Sequence, residues 1–108
     1  MPCKLRESDF NEFTGKTGEQ TTLRVSGQAG AARLTGARYA DQDVTVDGDS
    51  VAFTIVSGPQ ALDLVIEDSI PDDTVELRET TGGDCNQLLD SFRYDPLNPT
   101  RGYTIIGE

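Results

Sequence analysis

The chain has 108 residues, 35% of them hydrophobic, and 19 acidic against 9 basic side chains give it a formal net charge of -10 at pH 7. The length predicts one domain spanning residues 1–108. The charge disfavours nucleic acid and anionic membrane surfaces as partners, because both carry phosphate, and no stretch approaches the roughly 20 apolar residues that span a bilayer.

Residues 1–20 form a polar amino-terminal arm whose apolar content includes Phe10 and Phe13. Two aromatics three positions apart predict either a short helical turn capped by Ser8 or an arm tucked under a sheet. Thr22 to Ser26 is the first clear strand, with Leu23 and Val25 facing inward, and Gly27 to Gly30 is a turn. Ala32 and Leu34 share one parity, whereas Ala37 and Tyr39 share the other. That switch at Gly36 predicts a β-bulge or bend.

From residue 43 to 78 apolar side chains alternate almost strictly: Val44, Val46, Val51, Phe53, Ile55, Leu62, Leu64, Ile66, Val75 and Leu77. Alternation means one buried face per strand. With Gly48 and Asp49 central in a turn, Val46 opposes Val51 and Val44 opposes Phe53, so all four share a face. The loop from Ser57 to Gln60 can then set Ile55 against Leu62, Phe53 against Leu64 and Val51 against Ile66. Residues 43–67 thus read as a three-stranded meander. The longer connection after Ile66 is expected to cross to a second sheet, which receives Val75 and Leu77. Residues 80–101 read as a long irregular loop with a helical turn from Asp84 through Leu88 to Phe92, and a last strand runs from Gly102 to Ile106.

Seven or eight short strands with hairpins and one long crossing predict an all-β, antiparallel two-sheet sandwich of immunoglobulin-like architecture, with a small β-barrel as the alternative. The chain lacks tryptophan, so the resemblance is one of architecture alone.

Cys3 and Cys85 lie near the amino terminus and in a Gly-rich segment. An even cysteine count in a small strand-rich chain predicts a disulfide between them. On the chain-entropy view such a link stabilises by about 4 kcal/mol. It implies a periplasmic, extracellular or cell-surface setting. Two unrelated free thiols in a cytosolic protein, or a lipidated Cys3, are the competing readings, and Met1-Pro2-Cys3-Lys4 does not lead into a signal-peptide core.

Histidine is absent, so neither Ser-His-Asp nor Cys-His catalysis can be assembled and no imidazole is offered to zinc. Gly15-Lys16-Thr17 matches the end of a phosphate-binding loop, but Phe10 stands where the motif requires glycine. No catalytic constellation emerges, and the expected function is non-enzymatic, without an obligate cofactor.

Two candidate sites remain. Asp68, Asp72, Asp73 and Asp95 fall in loops that could converge at one end of a sandwich, and such oxygen ligands suit calcium. The denser run Asp41, Asp43, Asp47 and Asp49 fails as an EF-hand loop, because its twelfth position, counted from Asp43, is Thr54. Phe92, Arg93 and Tyr94 form the second candidate, a protein-contact triad, since aromatic residues and arginine are favoured at interface centres. On the outward parity of the meander, Ala52, Val56, Ala61 and Val65 make a small apolar patch that the arm with Phe10 and Phe13 is expected to cover.

The leading expectation is therefore a non-enzymatic binding or structural module of an exported protein. It contacts a protein partner, with a basic one favoured by charge, through end loops and residues 80–101. A calcium-dependent domain using the Asp-rich loops and a small secreted inhibitor are the alternatives.

Overall fold

The computed structural model describes residues 3–108; Met1 and Pro2, the start of the tetrapeptide read above for a leader, lie outside it. Eleven strands are present among the described residues: β1 (Leu5–Glu7), β2 (Glu12–Gly15), β3 (Gln20–Gly27), β4 (Arg33–Tyr39), β5 (Gln42–Val44), β6 (Val46–Asp47), β7 (Ser50–Thr54), β8 (Gly58–Glu67), β9 (Thr74–Glu79), β10 (Gln87–Arg93) and β11 (Thr100–Gly107). They build a six-stranded sheet ordered β1-β2-β11-β8-β4-β5 and a five-stranded sheet ordered β10-β9-β3-β7-β6. All pairings are antiparallel except that of β2 with β11. The sheets stay separate and keep edge strands, which makes a sandwich rather than a barrel and is compatible with immunoglobulin-like architecture.

The core lies between the sheets. Phe13, Leu23, Val51, Leu62, Leu64, Leu77 and Ile105 are among its buried side chains. Each contributes about 1.5–3 kcal/mol by leaving water. The tilted rings of Tyr39 and Phe53, 4.3 Å apart, join the two sheets.

The register of the first hairpin at its turn is as the sequence predicts, whereas the expected second hairpin, with Ile55 against Leu62, Phe53 against Leu64 and Val51 against Ile66, does not form. Val46 opposes Val51 across the Gly48-Asp49 turn, and the register slips between Leu34 and Gly36, where the bulge was expected. Val44, however, opposes Ala37 rather than Phe53. The chain changes sheet at Thr45 and changes back between Thr54 and Gly58, so β7 and β8 do not pair. Leu62 instead sits between Tyr39 and Tyr103. The long connection from β8 to β9 does cross to the other sheet, which receives Val75 and Leu77.

These crossings dissolve the expected apolar patch. Ala52 opposes Thr22 on one outer face, whereas Val65 and Ala61 lie on the other. The amino-terminal arm is not a cover. Its β1 and β2 extend the six-stranded sheet, Phe13 enters the core, and Phe10 sits 98% exposed in the β1–β2 turn.

The 80–101 segment is likewise more regular than expected. A 3-10 turn (Thr81–Gly83) replaces the helical turn, and β10 pairs with β9 through a register shift between Leu88 and Asp90. The disulfide between Cys3 and Cys85 is present, with Cα atoms 5.1 Å apart. It leaves Cys3 no thiol for a lipid and fastens the start of β1 to the loop that follows the 3-10 turn.

Candidate functional site

Three connections meet at one end of the sandwich: β3–β4, β8–β9 and β10–β11. Strand direction puts them there, because β3, β8 and β10 all finish at that end. Backbone hydrogen bonds then tie the loops together. Gln28 N–H donates to Thr74 O at 2.9 Å, Tyr94 N–H to Asp73 O at 2.8 Å, Asp72 N–H to Tyr94 O at 3.3 Å and Ile66 N–H to Pro99 O at 3.0 Å. The β6–β7 turn joins them, since Asp49 accepts from Val25 N–H through its carbonyl and from Leu34 N–H through its carboxylate. Loops held in this way lose little entropy when they meet a partner.

The β8–β9 loop owes its shape to Asp68-Ser69-Ile70-Pro71-Asp72-Asp73. The Asp68 carboxylate accepts from Ile70 N–H at 2.9 Å, a side-chain turn typical of aspartate. Asp73 N–H then donates to Ile70 O across a turn with Pro71 second and Asp72, at φ 63°, third. Proline followed by a positive φ marks a type II turn. The two turns share Ile70, whose N–H serves Asp68 and whose carbonyl serves Asp73 N–H.

Asp73 is buried, and its Oδ1 accepts from Ala29 N–H at 3.1 Å. The Oδ2 atoms of both Asp68 and Asp73 are shielded from water and have no donor among the described residues. Burial of the Asp68 carboxylate, and secondly its contact with Asp73, push its pKa above the usual carboxylate range. Arg33 acts in the opposite sense, although its guanidinium is engaged by Gly30 O, Ala32 O and the Asp49 carboxylate. An open cleft of about 480 Å³ lies beside Asp68, lined also by Ala31, Arg33, Glu67, Ser69 and Tyr94.

Of the four aspartates proposed for calcium, the structure thus brings Asp68 and Asp73 together. Asp72 and Asp95 share the same end of the sandwich but are exposed, and Asp95 caps its own loop through Leu97 N–H at 2.9 Å. Among the described residues, Cys3, Glu79 and Cys85 are the only three metal-type side chains that converge. The cysteines there are already joined to each other, and the Glu79 carboxylate is filled by donors from Lys4 N, Leu5 N, Thr21 Oγ1 and Thr81 Oγ1. That cluster is an anchor for β1.

Phe92, Arg93 and Tyr94 do not form one patch. Successive strand residues face opposite ways, so Phe92 and Tyr94 turn inward while Arg93 points to solvent. Tyr94 is buried, and Phe92 lies beneath Arg101, whose guanidinium carbon is 4.3 Å from the ring centroid. Asp90 accepts from Arg101 Nη2 at 3.2 Å and from Tyr103 Oη at 2.9 Å. Burial first, and then the Asp90 charge, raise the Tyr103 pKa well above its ordinary value. Arg93 enters no ion pair among the described residues. Sequence reading missed the most exposed apolar group of this end, Leu97, which is 93% exposed at the tip of the β10–β11 loop. Its signal was Pro96-Leu97-Asn98-Pro99, a leucine held between turn formers. Ile70, on the neighbouring loop, is also exposed.

No helix among the described residues is long and apolar enough to cross a membrane. Comparison with protein-family models, curated proteins and solved structures gives no match to this chain.

Proposed function

We propose that this chain is a non-enzymatic binding module of an exported protein, and that it holds a protein partner at the end where the β3–β4, β8–β9 and β10–β11 loops meet. The observation carrying this reading is the placement of Leu97, 93% exposed, on a loop fastened to the sandwich by backbone hydrogen bonds. A large apolar side chain on a pre-organised loop suits an interface anchor. Ile70, exposed on the neighbouring β8–β9 loop, adds apolar area at this end, and Arg93 on β10 enters no ion pair among the described residues. The disulfide supports export, because such bonds persist in oxidising compartments.

The acidic loops around this anchor favour a partner with basic groups at its rim, which charge complementarity steers rather than binds tightly. A photo-crosslinking residue placed at position 97, with a control at Lys16 near the opposite end, tests the location in extracts of the native compartment. A discrete adduct at 97 that is absent at 16 supports the reading. Equal labelling at both positions, or labelling at 16 alone, contradicts it.

A further inference from the structure

We propose that the edge of β11 from Thr100 to Gly102 takes up a short extended segment of a partner protein as an added strand. This deepens the loop-end reading and rests on it for the partner, because the loop carrying Leu97 leads directly into that edge. Along β11 the backbone groups alternate between its two neighbours. Ile66 N–H donates to Pro99 O at 3.0 Å, which in the β8–β11 register assigns the groups of Arg101 and Tyr103 to β8. Thr104 N–H donates to Asn11 O at 3.1 Å, so Thr100, Gly102 and Thr104 face the β2 side. On that side β2 pairs only from Thr104 to Gly107. The backbone groups of Thr100 and Gly102 therefore lie on an open edge without a partner among the described residues, and both residues are exposed.

The ladder defines its occupant. Unpaired N–H and C=O groups in strand spacing match another extended backbone, and the open edge, about 13 Å long, holds about four residues. The Asp9–Glu12 turn closes one end of it and the Leu97 loop the other, so the two most exposed large apolar side chains among the described residues, Phe10 and Leu97, bracket the edge. Phe10 is held at φ 43° by Glu12 N–H on Asp9 O at 2.7 Å. Bulky residues rarely adopt that conformation, and the ring gains no packing in return, which points to a contact outside the fold. A cleft of about 250 Å³ between the end of β10 and the start of β11, walled by Phe92, Pro99 and Arg101, can receive a side chain of the added strand. Asp9, Glu12 and Asp95 enter no ion pair among the described residues, whereas Arg101 is met by Asp90. Charge therefore favours a basic segment, with apolar residues for Phe10 and Leu97. A second copy does not fit, because in an antiparallel pair of β11 edges the loop before Thr100 of each copy would run into the β1–β2 hairpin of the other.

The full chain is used to select binders from a displayed library of random peptides, and amide exchange maps where they bind. In the free protein the amides of Thr100 and Gly102 should exchange fast while those of Arg101 and Tyr103 are protected. A bound peptide should slow Thr100 and Gly102 by about tenfold or more. Gly102→Pro removes the outward N–H, leaves the β8 ladder whole and is tolerated at such an edge position. It should weaken peptide binding about tenfold, whereas Gly102→Ala, which keeps the N–H, should change it less than about threefold. The exchange pattern of the parent decides the matter even where the proline variant melts early. No selected binder, binders that leave both amides fast, or unchanged binding by a folded Gly102→Pro overturns the added strand. So does slowing of both amides as the chain alone is concentrated, which would mean self-pairing. A crosslink at position 97 that persists unchanged in Gly102→Pro leaves the loop-end surface standing and overturns the added strand. Slowed amides without a crosslink at 97 support the added strand and contradict that surface.

Discussion

The carboxylate of Glu79, fully buried on β9, accepts the backbone N–H of Leu5 at 3.0 Å across a sequence separation of 74 residues. Lys4 N–H at 2.7 Å and the hydroxyls of Thr21 and Thr81 complete its shell. A side-chain acceptor thus stands in for a sheet partner at the start of β1. Glu79→Ala should leave these donors buried and unpaired, a loss of about 3–5 kcal/mol by urea unfolding with unchanged m. Glu79→Gln, which keeps an acceptor, should lose less. Equal stability of the alanine variant and the parent would refute the anchor.

The disulfide fastens the same end of β1. Removing it by Cys3→Ser with Cys85→Ser should lower stability by about 4 kcal/mol. Titration of the unfolded, unreduced parent should find no free thiol. Because Glu79 and the disulfide hold one strand, their losses should not add, and a double-mutant cycle should show coupling above about 0.5 kcal/mol. Additivity would mean that they act separately.

The first hairpin and the bulge at Gly36 were legible because both are local: a two-residue turn fixes Val46 against Val51, and a parity switch marks an extra residue. Sheet membership was not legible from the same pattern. Ile55 and Leu62 point into one core whether their strands pair or face each other, so a chain that crosses between the sheets keeps its alternation. The β10 strand was hidden by its own irregularity. The register shift near Leu89 breaks the period of two and leaves Leu88 and Phe92 four apart, as in a helix. At the loop end, Asp68 and Asp73 could be picked out as ligand-type residues. The turn that joins those two and leaves out Asp72 and Asp95 depends on backbone geometry that the composition does not show.

Asp68 gives the protein a pH dependence of definite sign. Its pKa is raised in the folded state by burial and by Asp73, so the native state binds the proton more tightly than the unfolded chain. That contribution is fully present below the usual carboxylate pKa, near 3.8 for Asp68, and is lost as pH rises through the raised value. Stability should therefore fall over that window, and Asp68→Asn should flatten the fall. Parallel pH profiles for parent and variant would contradict the pairing.

Tyr103 behaves likewise in alkali. Burial and Asp90 hold its phenol protonated beyond the ordinary range, so it should ionise only as the sandwich opens. Its contribution is present below pH 10 and lost above it. Ultraviolet titration of the parent against Tyr103→Phe should show one phenolate whose appearance coincides with unfolding. A phenolate from Tyr103 in the folded protein would contradict the Asp90 hydrogen bond.

Leu97→Asp should change stability by less than about 0.5 kcal/mol, because the side chain packs against nothing. It should nonetheless remove partner crosslinking from a neighbouring probe at Ile70. A destabilised variant would mean that the leucine is structural.

The central claim is that the loops at this end are rigidly held for recognition, and amide hydrogen exchange of the free protein tests it most directly. The amides of Gln28, Ile66 and Tyr94, each donated to a neighbouring loop or strand, should be protected to an extent comparable with Leu23 and Leu77 in the core strands. Exchange at unstructured-chain rates at Tyr94 and Gln28, with the core still protected, would contradict it.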